Sequence, residues 1–138
     1  MGKIRWIRAI LFGFAAEIIL IPVFILAALF LDAATAQWSV LPGSFLLCLT
    51  FGWIVARKAG SRFVLHGILT GAGAFLFYWL TVAVSTMVLQ ITGVTPPANI
   101  AAQPPAYLYP IAHCLKFLGG ATGGWLAKQS ARRPVLSS

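Results

Sequence analysis

Four long apolar stretches dominate this sequence, and they limit what the chain can fold into. They cover residues 9–31, 40–56, 63–91 and 109–127. About 20 mostly apolar residues suffice for a helix to cross the hydrocarbon core of a bilayer. Only 9% of the 138 residues are charged, whereas a soluble domain carries about 25%. The sequence therefore predicts an all-α transmembrane four-helix bundle, built as a single membrane domain over residues 1–128.

The basic residues predict the orientation of that bundle. Nine of the ten Lys and Arg residues lie before the first stretch, between the second and third, or after the fourth. Lys and Arg concentrate in cytoplasmic loops. We therefore expect both termini, including the basic tail 129–138, inside the cell, and the protein in the cytoplasmic (inner) membrane of a bacterium. These clusters also favour anionic lipid headgroups. Their placement follows topology, so no nucleic-acid partner is expected.

The two connections on the other side carry no Lys or Arg. Residues 32–39 predict a polar external connection. Residues 92–110 contain five prolines, which predict an extended external loop because Pro blocks regular helix and strand. One alternative stays open, since Ala34 to Ala36 resembles a signal-peptide cleavage site. The apolar run before it is longer than the usual 7–15 residues or so, and it contains a glutamate.

Two ionisable residues lie deep inside the predicted spans. At 1.5 Å per residue, Glu17 lies about 13 Å from Arg8 and Lys116 about 18 Å from Lys128. A charge at the centre of a membrane helix costs roughly 2.5–3.5 kcal/mol on insertion scales, so each needs a partner. We predict a buried Glu17–Lys116 pair, with His113 one turn outward as a candidate relay residue. The pair is either a structural lock between helices or part of a proton or ion relay.

Small residues spaced four apart recur in every span, and such pairs let helix backbones approach closely in lipid. Ala9 and Gly13 share a helix face with Glu17, and Gly120 and Gly124 share one with Lys116. The predicted packing glycines are Gly13, Gly52, Gly67, Gly71, Gly119, Gly120, Gly123 and Gly124.

The two predicted hairpins share short motifs. Each opens with Arg, four residues and Gly, at Arg8 and at Arg62. Each second helix contains Cys-Leu-x-Phe, beginning at Cys48 and at Cys114. Two interpretations are open: a parallel repeat about an axis along the membrane normal, or chance matches between apolar sequences. We expect both cysteines to be buried thiols without a disulfide.

Three parts of the sequence combine glycines with a basic loop: GWIVARKAG from Gly52 to Gly60, His66-Gly67 with Gly71, and the glycine-rich close from Gly119 to Trp125. This pattern resembles a bacterial family of small four-helix membrane proteins of the YrzE type. It implies the four-helix fold and no assigned activity. Ala16-Glu17 also resembles the first helix of the small multidrug resistance transporters, as does Tyr78-Trp79 their third. That likeness implies a carrier working through the glutamate, although those transporters lack the present lysine and proline-rich loop.

No catalytic arrangement is visible among two acidic residues and two histidines. The sequence shows no triad, metal motif or phosphate-binding loop, so we expect neither an enzyme nor a cofactor. We expect a structural or accessory membrane protein that self-associates or joins a larger membrane complex. The alternative is a small proton- or ion-coupled transporter that works as an oligomer through Glu17. A third hypothesis, cofactor binding at His66 or His113, has the least support.

Overall fold

A computed structural model describes residues 5–94 and 105–132. They form four α-helices: α1 (Trp6–Phe30), α2 (Ala33–Ala59), α3 (Phe63–Thr92) and α4 (Leu108–Arg132). No strand occurs in these residues, so the predicted all-α bundle is confirmed. Most of the proline-rich loop, the first four residues and the end of the basic tail lie outside the described part of the chain.

Three of the helices, α1, α2 and α3, are long and apolar enough to cross a membrane. The fourth predicted span, α4, does not belong to that set. It carries His113, Lys116 and four glycines, and its last turns are polar. Its lower apolarity has a structural reason: the four glycines and Lys116 are buried against the other helices.

Helix α2 begins earlier than the sequence predicted. Residues 32–39 were expected to be a polar connection before a span at 40–56, but α2 starts at Ala33. Asp32 is its N-cap: the carboxylate accepts hydrogen bonds from the Thr35 backbone N–H at 3.0 Å and from the Thr35 hydroxyl at 2.6 Å. Capping of this kind starts a helix within a polar segment. Ala36, the candidate cleavage position, is buried in the first turn of α2.

The described basic residues outside the apolar stretches gather at one end of the bundle, which we call the basic end. There α1 and α3 begin, while α2 and α4 end. A tight connection joins α2 to α3, with Gly60 and Arg62 both in the left-handed region at φ 68° and 48°. The members of the basic end are Arg5, Arg8, Arg57, Lys58, Arg62, Lys128 and Arg132.

The packing of the helices is asymmetric. Helices α2 and α3 contact each other, and both contact α1 and α4. No Cα atom of α1 lies within 8 Å of a Cα atom of α4. A two-fold axis along the membrane normal would exchange α1 with α3 and α2 with α4, so it would make the α2–α3 and α1–α4 contacts equivalent. The observed contacts lack that symmetry, and the parallel-repeat interpretation therefore gains no support from the arrangement.

Glycines set the distances between the helices. Gly120 faces Gly67 of α3, and a Cβ on either would overlap the carbonyl of the other. Gly119 and Gly123, on the adjoining face of α4, lie against the α2 backbone at Phe45 and Leu49. Helix α4 thus packs against two neighbours at once, and close backbone contact of this kind is what associates helices in lipid.

The remaining predicted packing glycines also lie at helix contacts. A Cβ on Gly52 would lie 2.9 Å from the Gly120 carbonyl oxygen. A Cβ on Gly13 would lie 2.6 Å from the Ala74 nitrogen, at the crossing of α1 and α3. Gly71 and Gly124 have backbone neighbours across the α3–α4 contact. All eight glycines are buried.

We expect Gly67→Val to lower the free energy of unfolding by about 1–3 kcal/mol or more, the usual range for overpacking. The obstructing atoms belong to the Gly120 and Gly124 backbones, so a change of side-chain rotamer gives no relief. Thermal unfolding in detergent measures the loss. Ala28→Val, on the exposed side of α1, is the matched control and should unfold like the wild type. Equal behaviour of the two variants would contradict the close approach of α3 and α4.

Candidate functional site

The structure brings together the two residues that the sequence analysis singled out. The Lys116 ammonium lies 2.9 Å from each carboxylate oxygen of Glu17. The Lys116 side chain is 2% exposed and the Glu17 side chain 10%. In a site with so little water, one charge without the other would be strongly unfavourable. The two therefore form a neutral, mutually dependent pair in the middle of the bundle.

The pair joins the two helices whose backbones do not meet. Glu17 follows Ala9 and Gly13 along the inward face of α1, and all three are buried. Across the bundle, the Lys116 backbone packs on Gly71, where an added Cβ would lie 2.6 Å from the Lys116 carbonyl oxygen. The long lysine side chain then reaches from α4 to α1. Its reach makes the contact that the backbones of those helices do not make.

One aromatic ring also contacts the ammonium. The Lys116 nitrogen lies 5.1 Å from the centroid of the Tyr78 ring, within the range of a cation–π interaction. Sequence reasoning did not assign Tyr78 to this site. The sequence spacing could have placed it there. Gly71, Ala74 and Tyr78 are spaced three and four residues apart, so they share the inward face of α3.

Two small polar residues of α2 are buried at the centre of the bundle. Cys48 packs with Ala16, the neighbour of Glu17, and with Ala74. Ser44, one turn away on the same face, is 2% exposed, and its hydroxyl has no hydrogen-bond partner in the described residues. Neither was predicted at the site, although their i, i+4 spacing could have placed them on one inward face.

His113 lies one turn from Lys116 but is not linked to the pair. Its ring packs among aromatic side chains, with centroid distances of 5.0 Å to Phe75, 4.6 Å to Tyr78 and 6.5 Å to Trp79. Both ring nitrogens are buried without a hydrogen-bond partner in the described residues. No direct hydrogen bond joins His113 to Glu17 or Lys116 in the described residues, and its role as a relay residue stays a prediction.

His66, in contrast, is fully hydrogen-bonded at the basic end. The Arg5 backbone N–H donates to its Nε2 at 3.1 Å, and its Nδ1 lies 3.0 Å from the Arg62 carbonyl oxygen. Because Nε2 accepts, the proton of the neutral ring sits on Nδ1 and is donated to that carbonyl. His66 thus ties the start of α1 to the start of α3, and both ring nitrogens are occupied in doing so.

The two cysteines differ. Cys48 is buried as predicted, but Cys114 is exposed on the surface of α4, and the two are not bonded to each other. The prediction of two buried thiols was therefore wrong for Cys114: Ala112 and Lys116, two residues to either side, turn inward, which leaves the intervening position facing outward. No group of three metal-binding side chains occurs in the described residues.

Comparisons of the chain with protein-family models, with curated proteins and with solved structures found no match. The resemblances to YrzE-type proteins and to small multidrug resistance transporters stay predictions.

We expect the two histidines to differ in their contribution to stability. His66→Phe removes the ring partners of the Arg5 backbone N–H and of the Arg62 carbonyl oxygen, and each lost hydrogen bond costs about 0.5–1.5 kcal/mol. His113→Phe replaces two unpartnered nitrogens by carbon within an aromatic cluster, so its stability should equal or exceed that of the wild type. Thermal unfolding of both variants in one detergent makes the comparison. An equal loss in the two variants would show that the His113 nitrogens have a partner.

Proposed function

We propose that this chain is a small integral membrane protein with a structural or accessory role. In this proposal it acts by self-association or within a larger membrane complex, and the Glu17–Lys116 pair is a structural lock that fixes α1 relative to α4. The observation that carries the proposal is the closed geometry of the pair. Both carboxylate oxygens are engaged by one ammonium, and both side chains are withdrawn from solvent.

The proposed topology has four membrane crossings with both termini in the cytoplasm of a bacterium. It is supported by the basic end, because Lys and Arg mark the cytoplasmic side. The cations at that end also suit the anionic headgroups of the inner leaflet. Helix α4 is proposed as the fourth crossing because it lies antiparallel to α3, with Gly124 beside Phe63 and Lys116 beside Gly71.

A proton- or ion-coupled transporter is the second candidate function. The observation that favours it is the group of polar side chains near the bundle centre, where the Ser44 hydroxyl has no hydrogen-bond partner within the described part of the chain. The Glu17 side chain is also more exposed than that of Lys116, 10% against 2%. A carrier would need the carboxylate to leave the lysine and reach water in a second conformation. A lock requires it to stay paired.

Charge-removing variants separate the two functions. We expect Glu17→Gln and Lys116→Met each to lose about 3–5 kcal/mol of stability, because each leaves one buried charge unpaired. The double variant should recover most of the loss, because neither charge remains. Thermal unfolding of the purified proteins measures all three.

Lys58→Met, at an exposed position of the basic end, is the matched control and should unfold like the wild type. A Glu17→Gln variant as stable as the wild type would contradict the lock. Proton-driven uptake in liposomes, with and without the carboxylate, would then be the measurement to make.

The topology gives a separate expectation. A fluorescent protein fused after Ser138 should fluoresce in bacterial cells, whereas a periplasm-dependent phosphatase fused there should be inactive. The same two reporters fused after Val94 should show the reverse pattern, because that position follows α3 at the opposite end. The same reporter active at both sites would mean that α4 does not cross the membrane.

A further inference from the structure

The seven described cations of the basic end have no acidic side chain beside them. The whole sequence contains only two acidic side chains. Glu17 is held by Lys116 in the middle of the bundle, and Asp32 caps α2 at the opposite end. Like charges that gather without a counter-charge repel one another. The basic end therefore favours contact with an anion from outside the chain.

Three tryptophans place the basic end at the level of the lipid headgroups in the proposed topology. Trp6 is the first residue of α1. Trp53 lies one turn before Arg57, and the guanidinium carbon is 5.2 Å from the centroid of its ring. Trp125 lies one turn before Lys128 in α4. Tryptophan is enriched at the boundary between membrane and water, so these cations lie within about one helical turn, roughly 5 Å, of that boundary.

One buried histidine holds two of the arginines beside each other. The Arg5 backbone N–H donates to Nε2 of His66, and Nδ1 of the same ring donates to the Arg62 carbonyl oxygen. The His66 side chain is 0% exposed. The backbones of Arg5 and Arg62 are therefore separated by one imidazole ring and two hydrogen bonds. Arg8, three residues after Arg5, lies on the same side of α1.

The arginine side chains at these two positions are not needed for the contact with His66, which involves only their backbone atoms. Neither side chain forms an ion pair within the described residues. Arg62 also has a left-handed backbone, at φ 48°, which residues other than glycine rarely adopt. Arg5 and Arg62 are the residues before α1 and α3, and a cation is disfavoured at the start of a helix. The local fold therefore does not call for arginine here, whereas a bound anion does.

A phosphate suits this arrangement. A guanidinium can donate two parallel hydrogen bonds to phosphate oxygens, so arginines on two adjacent helix starts can hold one phosphate from two sides. A lipid is the source that the observations favour, because the tryptophans place these arginines at the depth of the headgroups. Anionic lipids of the cytoplasmic leaflet attract basic residues at that level.

We propose that Arg5, Arg8 and Arg62 form a binding site for the phosphate of one anionic phospholipid; we call these three residues the headgroup site. The proposal rests on the topology in the proposed function, and it replaces a general attraction of the basic end for lipid by a defined site at the starts of α1 and α3. His66 is its positioning residue. The lipid phosphate supplies the counter-charge that the chain does not.

Native mass spectrometry of protein released from neutral detergent micelles counts the bound lipids. The wild type should retain one molecule of phosphatidylglycerol. Arg5→Gln/Arg62→Gln should bind it at least about tenfold more weakly, because each change removes charge-assisted hydrogen bonds. Lys58→Gln/Arg132→Gln is the matched control: it removes two exposed charges from the same end and should bind like the wild type. Equal weakening in the two double variants would indicate diffuse attraction and would overturn the site.

His66→Phe tests the geometry separately from the charge. This variant keeps every cation but loses the link between Arg5 and Arg62, so its folded form should bind phosphatidylglycerol several-fold more weakly. Binding equal to that of the wild type would overturn the positioning role of His66.

Two further ligands identify the occupant. Zwitterionic phosphatidylcholine should bind several-fold more weakly than phosphatidylglycerol, and inorganic phosphate at the same concentration should not displace the lipid. Equal binding of the two lipids would overturn the recognition of charge, and displacement by inorganic phosphate would overturn the lipid as occupant. A wild type that retains no lipid would overturn the headgroup site but leave the topology in place, since the reporter fusions measure the topology independently.

Discussion

Close approach of helix backbones at glycines is the constraint on which the rest of this structure depends. Lipid tails are as apolar as the side chains, so helices gain little by hiding them from lipid and associate instead through van der Waals contact and hydrogen bonds. Helix α4 shows the consequence: Gly119 and Gly123 face α2, whereas Gly120 and Gly124 face α3. Two adjacent glycine faces on one helix place α4 in the groove between two neighbours, and that placement sets the depth and direction of Lys116.

The ion pair follows from the same geometry. Helix α1 is held to α3 near Gly13 and Gly73, but it makes no backbone contact with α4. A buried ion pair adds little net stability compared with good apolar packing, yet loss of one partner is strongly destabilising. Here the pair selects one packing arrangement of α1 over others. Any packing of α1 that moved Glu17 away from Lys116 would leave two charges unpaired in an environment with little water, so the pair disfavours alternatives that glycine contacts alone would permit.

The sequence was sufficient for the features governed by spacing and depth. Glu17 and Lys116 are each far from their nearest basic cluster and on the glycine face of their helix, which predicted the pair.

Features set by local capping or by the relative arrangement of helices were missed. Asp32 starts α2 within a polar segment that composition alone assigned to a connection. Whether His113 has a hydrogen-bond partner depends on which face α3 turns toward it. The side chains that α3 places against His113 are Phe75 and Tyr78. The motif likeness between hairpins did not predict helix contacts, since those depend on packing faces and not on short sequence matches.

The lower apolarity of α4 follows from the role it plays in the bundle. A helix that faces lipid on most sides, as α1 does beyond Leu20, must be apolar nearly all round. Helix α4 instead uses its glycines and Lys116 for contact with three other helices. A lysine at the centre of a membrane helix is unfavourable by itself, so the burial of Lys116 in the bundle depends on Glu17 being in place. Lys116 lowers the apolarity of α4, and it is also the residue that ties α4, already placed by its glycines, to α1.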